Sequence, residues 1–185
     1  MDNYFIFLRN LLDTDKIQPG INQIVTDIMG CILRGNSIWI LGNGGSASTA
    51  EHFETDLSFV RHENKTMKVK ATALTSNSSL LSAIANDIGF EKIFSHQLHR
   101  KAIKGDLCIM ISASGNSQNL IHATKIAKQM NLRSVGLLGF DGGKLAKVLD
   151  FSLVITTEKG KYGPVEDIHL MICHAISELV LTQIE

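Results

Sequence analysis

The chain has 185 residues, 44% of them hydrophobic and 19% charged, a size that suits one domain built on one core. Eighteen Lys+Arg balance eighteen Asp+Glu, so no global basic field exists to hold nucleic acid or an anionic membrane, and any bound anion must be held locally. That hydrophobic and charged content argues against disorder, and no apolar run approaches the ~18 residues that span a bilayer, which argues against a membrane anchor.

Met1-Asp2-Asn3-Tyr4 carries no basic stretch and Arg9 interrupts the apolar residues that follow, so a cleaved secretory signal is not expected. Helical spacing of Phe5, Leu8, Leu11 and Leu12, then of Ile21, Ile24, Val25, Ile28 and Ile32, predicts two amphipathic helices over residues 1–35, broken at Pro19-Gly20. Short apolar runs closed by Gly, Ser or Asn predict five strands: Ser37–Leu41, Val69–Leu74, Leu107–Ile111, Ser134–Leu138 and Phe151–Ile155. Between and after them, helices are predicted over Ala47–Leu57, Ser79–Asp87, Phe94–Ala102, Gln118–Met130, Gly143–Val148 and Val165–Leu181, with Glu63–Lys70 a polar loop. Strand alternating with helix predicts an α/β fold, a doubly wound five-stranded parallel sheet with helices on both faces. Cys31, Cys108 and Cys173 fall in apolar segments, where inert core thiols in a reducing cytoplasm are expected.

Ligands of such sheets sit at the carboxyl ends of strands, near the reversal of strand order. The first strand is followed by Gly42-Asn43-Gly44-Gly45-Ser46 and a helix, a turn whose backbone N–H groups can approach an anion. It lacks the spaced glycines, the following acid and the Lys of nucleotide-binding loops. After the third strand, Ser112-Ala113-Ser114-Gly115-Asn116-Ser117 also opens a helix. Helix capping needs one Ser there; three hydroxyls in six residues point to a phosphate monoester held by hydrogen bonds and the helix dipole.

His52 and Asp56, four residues apart, share a helix face and suit either a divalent metal or an acid–base pair, although a plain surface hydrogen bond explains them too. On the last helix Ile168, Met171, Ile172, Ala175, Ile176 and Leu179 form the expected buried stripe, which puts His174 on a polar face with Asp167 and Glu178. Pro164, Glu166 and Asp167 fit a helix start. His62, His96, His99 and His122 have no acid at ligand spacing and are read as structural.

With the two Ser-rich turns, Ala83-Ile84-Ala85-Asn86-Asp87-Ile88-Gly89-Phe90, Asp141-Gly142-Gly143-Lys144 and Ile168-His169 with His174, the sequence resembles the sugar isomerase (SIS) domain family, over about Val25 to Val180. Within that family it is similar to the isomerases that interconvert sedoheptulose 7-phosphate and D-glycero-D-manno-heptose 7-phosphate. The resemblance implies one SIS domain over residues 1–185, a homotetramer with the N-terminal helices in subunit contacts, and a phosphorylated sugar as substrate. It implies that Ser46, Ser112, Ser114 and Ser117 hold the phosphate, with Asn43, Gly44 and Asp87 near the sugar. It further implies a zinc ion, or another divalent metal, on His52, Asp56, Glu166 and His174, and proton transfer through an enediol by Asp56 or Glu166 with His174. Asp56 stands where the family has Glu, Glu166 where it has Gln, and Val60 where it has a substrate-binding Arg. Two other readings remain: a non-catalytic relative that binds a replication initiator, disfavoured by His174, and an isomerase of a different sugar phosphate.

Overall fold

The computed structural model describes residues 4–12, 14–59 and 68–184. Helices α1 (Tyr4–Leu11) and α2 (Thr14–Leu33) lead into β1 (Ile38–Leu41), α3 (Gly45–Ser58), β2 (Ala71–Ala73) and α4 (Ser78–Asp87). A 3-10 turn, Phe90–Lys92, joins α4 to α5 (Ile93–Lys101), and β3 (Leu107–Ser112), α6 (Gln118–Gln129) and β4 (Arg133–Gly139) follow. After a second 3-10 turn, Leu145–Lys147, β5 (Phe151–Ile155) leads to α7 (Tyr162–Ile184).

All five strands are parallel, in the order β2-β1-β3-β4-β5. Side chains alternate across the sheet and bury both of its faces. Ile38, Ile40, Ile109 and Leu137 pack with Ile24 and Ile28 of α2, Phe53 of α3 and Ile172 of α7. Trp39, Leu41 and Met110 point the other way, onto Ile84, Phe94, Leu98 and Leu120 of α4, α5 and α6. The three thiols are buried and unpaired, and burial pushes those of Cys108 and Cys173 well above the ordinary range, as core thiols require. Among the described residues no helix is long and apolar enough to cross a membrane.

Three sequence expectations are corrected. The N-terminal break lies after Leu11, and Pro19-Gly20 sits inside α2. Gly20 is there for space, since a Cβ would come within 2.7 Å of Leu153 Cδ1 on β5. The helix expected over Gly143–Val148 shrinks to the 3-10 turn, because Gly142 and Gly143, at φ 79° and 56°, turn the chain and Leu145 donates its N–H to the Gly115 carbonyl at 2.9 Å. On α7, Met171 and Leu179 are exposed, and the buried face runs through Val165, Ile168, His169, Ile172, Cys173, Ile176 and Val180. His169 is fully buried with neither ring nitrogen hydrogen-bonded. Burial pushes its pKa down to about 4, against a smaller opposing pull from the Leu138 backbone, so it packs as a neutral ring. Val60, Arg61 and His62, with most of the expected polar loop, lie outside the described residues.

Asp106 ties the amino ends of β1 and β3 together. Its fully buried carboxylate accepts from Ser37 N (2.9 Å), Asn36 Nδ2 (2.9 Å), Trp39 Nε1 (2.8 Å) and Ile103 N (3.0 Å). Burial alone pushes its pKa up, but these four donors outweigh it and the net shift is downward. A carboxylate with a lowered folded-state pKa contributes stability that is complete above its unfolded value of ~3.9 and is lost as pH falls through the folded value. Asp106→Ala should therefore lower unfolding free energy by ~2–4 kcal/mol at pH 7 in urea titration, a deficit that narrows in strong acid.

Candidate active site

The order β2-β1-β3 reverses between β1 and β3, which opens a crevice beyond the carboxyl ends of that pair. A cleft of ≈ 190 Å³ occupies it, lined by Asn43 and Ser46 from the first loop, Ile111, Ser112, Ala113, Ser114 and Ser117 from the second, and Tyr162 and Glu166 from α7. Gly44, at φ 55°, turns the chain into α3. In the second loop Ser112 Oγ accepts the Gly115 N–H at 3.0 Å and Ser114 Oγ accepts that of Asn116 at 3.2 Å, so both hydroxyl protons remain available to an acceptor in the cleft. Gly115 has φ 61°, and a Cβ there would strike the Gly142 carbonyl. Asn116 Oδ1 also takes the Lys144 N–H at 3.2 Å, which braces the serine loop on the turn after β4.

Ser117 decides between capping and anion binding. It is the residue before α6, yet its hydroxyl makes no capping bond. The start of a helix leaves backbone N–H groups without a backbone acceptor; Asn119 Oδ1 takes that of Leu120 at 2.9 Å, and Ser117 lines the cleft rich in hydroxyls. That arrangement suits a phosphate oxygen better than a plain cap.

Helices α3 and α7 both start at the carboxyl edge of the sheet and pack side by side. At their starts the Glu166 carboxylate lies against Gly45, on the spot that a Cβ would take. Six residues beyond Ser46 and eight beyond Glu166, about 9–12 Å at 1.5 Å rise per residue, His52 and His174 meet. Their Nε2 atoms are 3.0 Å apart; Asp56 Oδ1 is 3.6 Å from His52 Nε2, and Asp56 Oδ2 is 3.8 Å from His174 Nε2.

These three side chains form the group of described residues whose ligand atoms lie within 4.8 Å of one another. Ligands at ~2.0–2.1 Å around a tetrahedral zinc stand roughly 3.3 Å apart, close to the spacings here. Asp56 Oδ2 is buried without a hydrogen-bond partner, a costly state that a cation between it and the imidazoles would relieve. The residues present therefore fit a divalent ion. Of the four expected ligands the structure brings three together; Glu166 lines the cleft instead.

Asp167, which helical spacing places nearer than Glu166 to the face of His174, is engaged elsewhere: Tyr4 of α1 donates its hydroxyl to Asp167 Oδ2 at 2.5 Å. That hydrogen bond, with burial and the charges of Asp167 and Glu166, pushes the Tyr4 pKa up to about 12. Asp87 is exposed on the last turn of α4, where its Oδ1 accepts from Asn86 Nδ2 at 2.7 Å, and it does not line the cleft. His122 Nδ1 pairs with the Glu91 carbonyl at 3.0 Å, a structural role. Two residues escaped the sequence reading. Tyr162 reaches the cleft with its ring edge-on to Phe140, centroids 5.2 Å apart, and Asn119 pairs with Asn43. Neither carries a spacing signal.

Comparison with known proteins finds relatives of the whole fold. A family model described as SIS domain matches residues 3–139. A phosphoheptose isomerase of Aliarcobacter butzleri (strain RM4018) is 38% identical over 146 residues, 79% of this chain and 76% of that protein. A phosphoheptose isomerase of Neisseria meningitidis (strain FAM18) is 36% identical over 165 residues, 89% and 83% of the two chains. The solved structure of phosphoheptose isomerase GmhA from Neisseria gonorrhoeae superposes with a TM-score of 0.85 at 31% identity, covering 95% of this chain and 91% of that one.

If the triad binds an ion, adding zinc to metal-stripped protein should raise the melting temperature, and His174→Ala should abolish that rise while leaving the apo melting temperature near wild type, as expected for an exposed side chain. Differential scanning fluorimetry with and without chelator reads both.

Proposed function

The chain belongs to the SIS domain family, and from that premise we propose that it is an aldose–ketose isomerase converting sedoheptulose 7-phosphate to D-glycero-D-manno-heptose 7-phosphate. The observation that carries the proposal is the hydroxyl-lined cleft at the strand-order reversal, with Ser117 left uncapped toward it. Ser46, Ser112, Ser114 and Ser117, with the α6 amino end, hold the phosphate; Asn43 and Gly44 face the sugar. Fixing the unreactive end converts binding energy into positioning of carbons 1 and 2. The 9–12 Å estimated along α3 and α7 from the cleft to the imidazoles is of the order of an extended sugar phosphate.

A base takes a proton from carbon 1 of the ketose, the carbonyl electrons move to give a cis-enediol, and a proton is returned at carbon 2 while the carbonyl re-forms at carbon 1. Asp56 is the base in this reading, because it stands beside His174 at the end where carbons 1 and 2 lie, whereas Glu166 lines the cleft that holds the phosphate. His174 is the acid partner. An Nε2 bound to an ion holds no proton, so ligation and proton donation are alternatives at His174. Zinc or another divalent ion held by His52, Asp56 and His174 would supply Lewis-acid stabilisation to the enediolate oxygen. Asp87 reaches a sugar only if a neighbouring subunit brings one to α4.

One SIS domain over residues 1–185, a homotetramer and a cytoplasmic location belong to the same reading. The assembly is supported by α1, which buries no residue of its own and exposes Phe5 (76%) and Ile6 (48%). The location is supported by three unpaired thiols.

Replacing Ser114 and Ser117 together by Ala should weaken sedoheptulose 7-phosphate binding by ~10- to 100-fold, the loss of two hydrogen bonds to a charged group, with the fold intact. Calorimetric affinity equal to wild type would remove the phosphate from this loop.

A further inference from the structure

Asn43 and Asn119, 76 residues apart in sequence, join the loop after β1 to the first turn of α6 through a closed pair of hydrogen bonds. Asn43 Nδ2 donates to Asn119 Oδ1 at 2.9 Å, and Asn119 Nδ2 donates to Asn43 Oδ1 at 2.8 Å. Asn119 is 2% exposed, so its amide has no recourse to bulk water. Its Oδ1 also accepts the Leu120 N–H at 2.9 Å. That backbone donor fixes which end of the Asn119 amide is the oxygen, and the pairing then fixes the orientation of Asn43.

One hydrogen bond between two side chains leaves a swivel; two antiparallel bonds between the same planar amides stop rotation of both. Asn43 spends one N–H and one lone pair on this pair and keeps one of each for a ligand in the cleft that it lines. By taking the Leu120 N–H, Asn119 does at the start of α6 what a capping side chain does, and the Ser117 hydroxyl stays free of that duty.

We infer that Asn119 is a positioning residue for substrate: from the first turn of α6 it clamps the loop after β1 in place and fixes the Asn43 amide for the sugar. The inference rests on the sugar-phosphate reading of the cleft. Because the clamp is already closed in the free protein, its loss should act on ground-state binding, raising KM and leaving kcat nearly unchanged.

The test is a double-mutant cycle on the full-length protein with sedoheptulose 7-phosphate as substrate: Asn43→Ala, Asn119→Ala, the double variant, and Asn119→Ser. Serine keeps a short acceptor near Leu120 N but cannot reach Asn43, so it separates clamping from helix capping even if the alanine variant folds poorly. The expected result is a KM raised about tenfold in both Asn119 variants, kcat within about twofold of wild type, and a double variant no worse than Asn43→Ala. A folded Asn119→Ser with wild-type KM, or losses that add across the cycle, would overturn the inference and leave the reading of the cleft standing. A wild-type protein that neither binds nor turns over the sugar phosphate would overturn the reading, and the clamp's role in substrate binding with it.

Discussion

The parallel pairing of β1 with β3, from Ile38 opposite Leu107 to Leu41 opposite Met110, places two loops that are distant in sequence at the same edge of the sheet. Each strand then releases its chain into a helix at that edge, so two helix amino ends meet at one crevice. Asp106 secures the other end of the same pair by accepting from both sides of it. A shift of register between these two strands would separate Asn43 from Asn119 and Ser46 from the serine loop together. The cleft thus depends on strand pairing more than on any residue within it.

Helix α7 adds the second half of the site. It packs beside α3 through buried Ile168, Ile172, Cys173 and Ile176 against Ala50, Phe53 and Leu57, and this contact sets which residues meet across the two helices. Gly45 faces Glu166 at the top; His52 and Asp56 face His174 two to three turns lower. The absence of a side chain at Gly45 is what lets the Glu166 carboxylate approach the amino end of α3. The apolar interface is therefore also what aligns the polar groups.

Much of this was legible in the sequence because the signals were local. The five strands were each a short apolar run closed by a small residue, and their limits shift by at most two residues in the structure. The serine loop and the His52–Asp56 spacing were readable for the same reason. What was hidden depended on tertiary contact. Pro19-Gly20 reads as a break, but Gly20 answers to Leu153 on a strand more than a hundred residues away. Met171 and Leu179 fit a helical stripe, yet the sheet takes the neighbouring face of α7, with His169 inside it. Glu166 and Asp167 were interchangeable as letters until Tyr4 claimed one and the cleft the other. The Asn43–Asn119 clamp joins a loop to a helix start and leaves no trace in the sequence of either.

The central claim is a proton transfer at the carbon beside the carbonyl of a sugar phosphate anchored by the two loops. Its most direct test is incubation of the protein with sedoheptulose 7-phosphate in deuterated water, followed by NMR of the recovered ketose. Enzyme-dependent incorporation of deuterium at carbon 1, together with appearance of the heptose 7-phosphate labelled at carbon 2, is the predicted result. Recovery of unlabelled ketose from protein that binds it would contradict the account and leave a sugar-phosphate binding protein without isomerase chemistry.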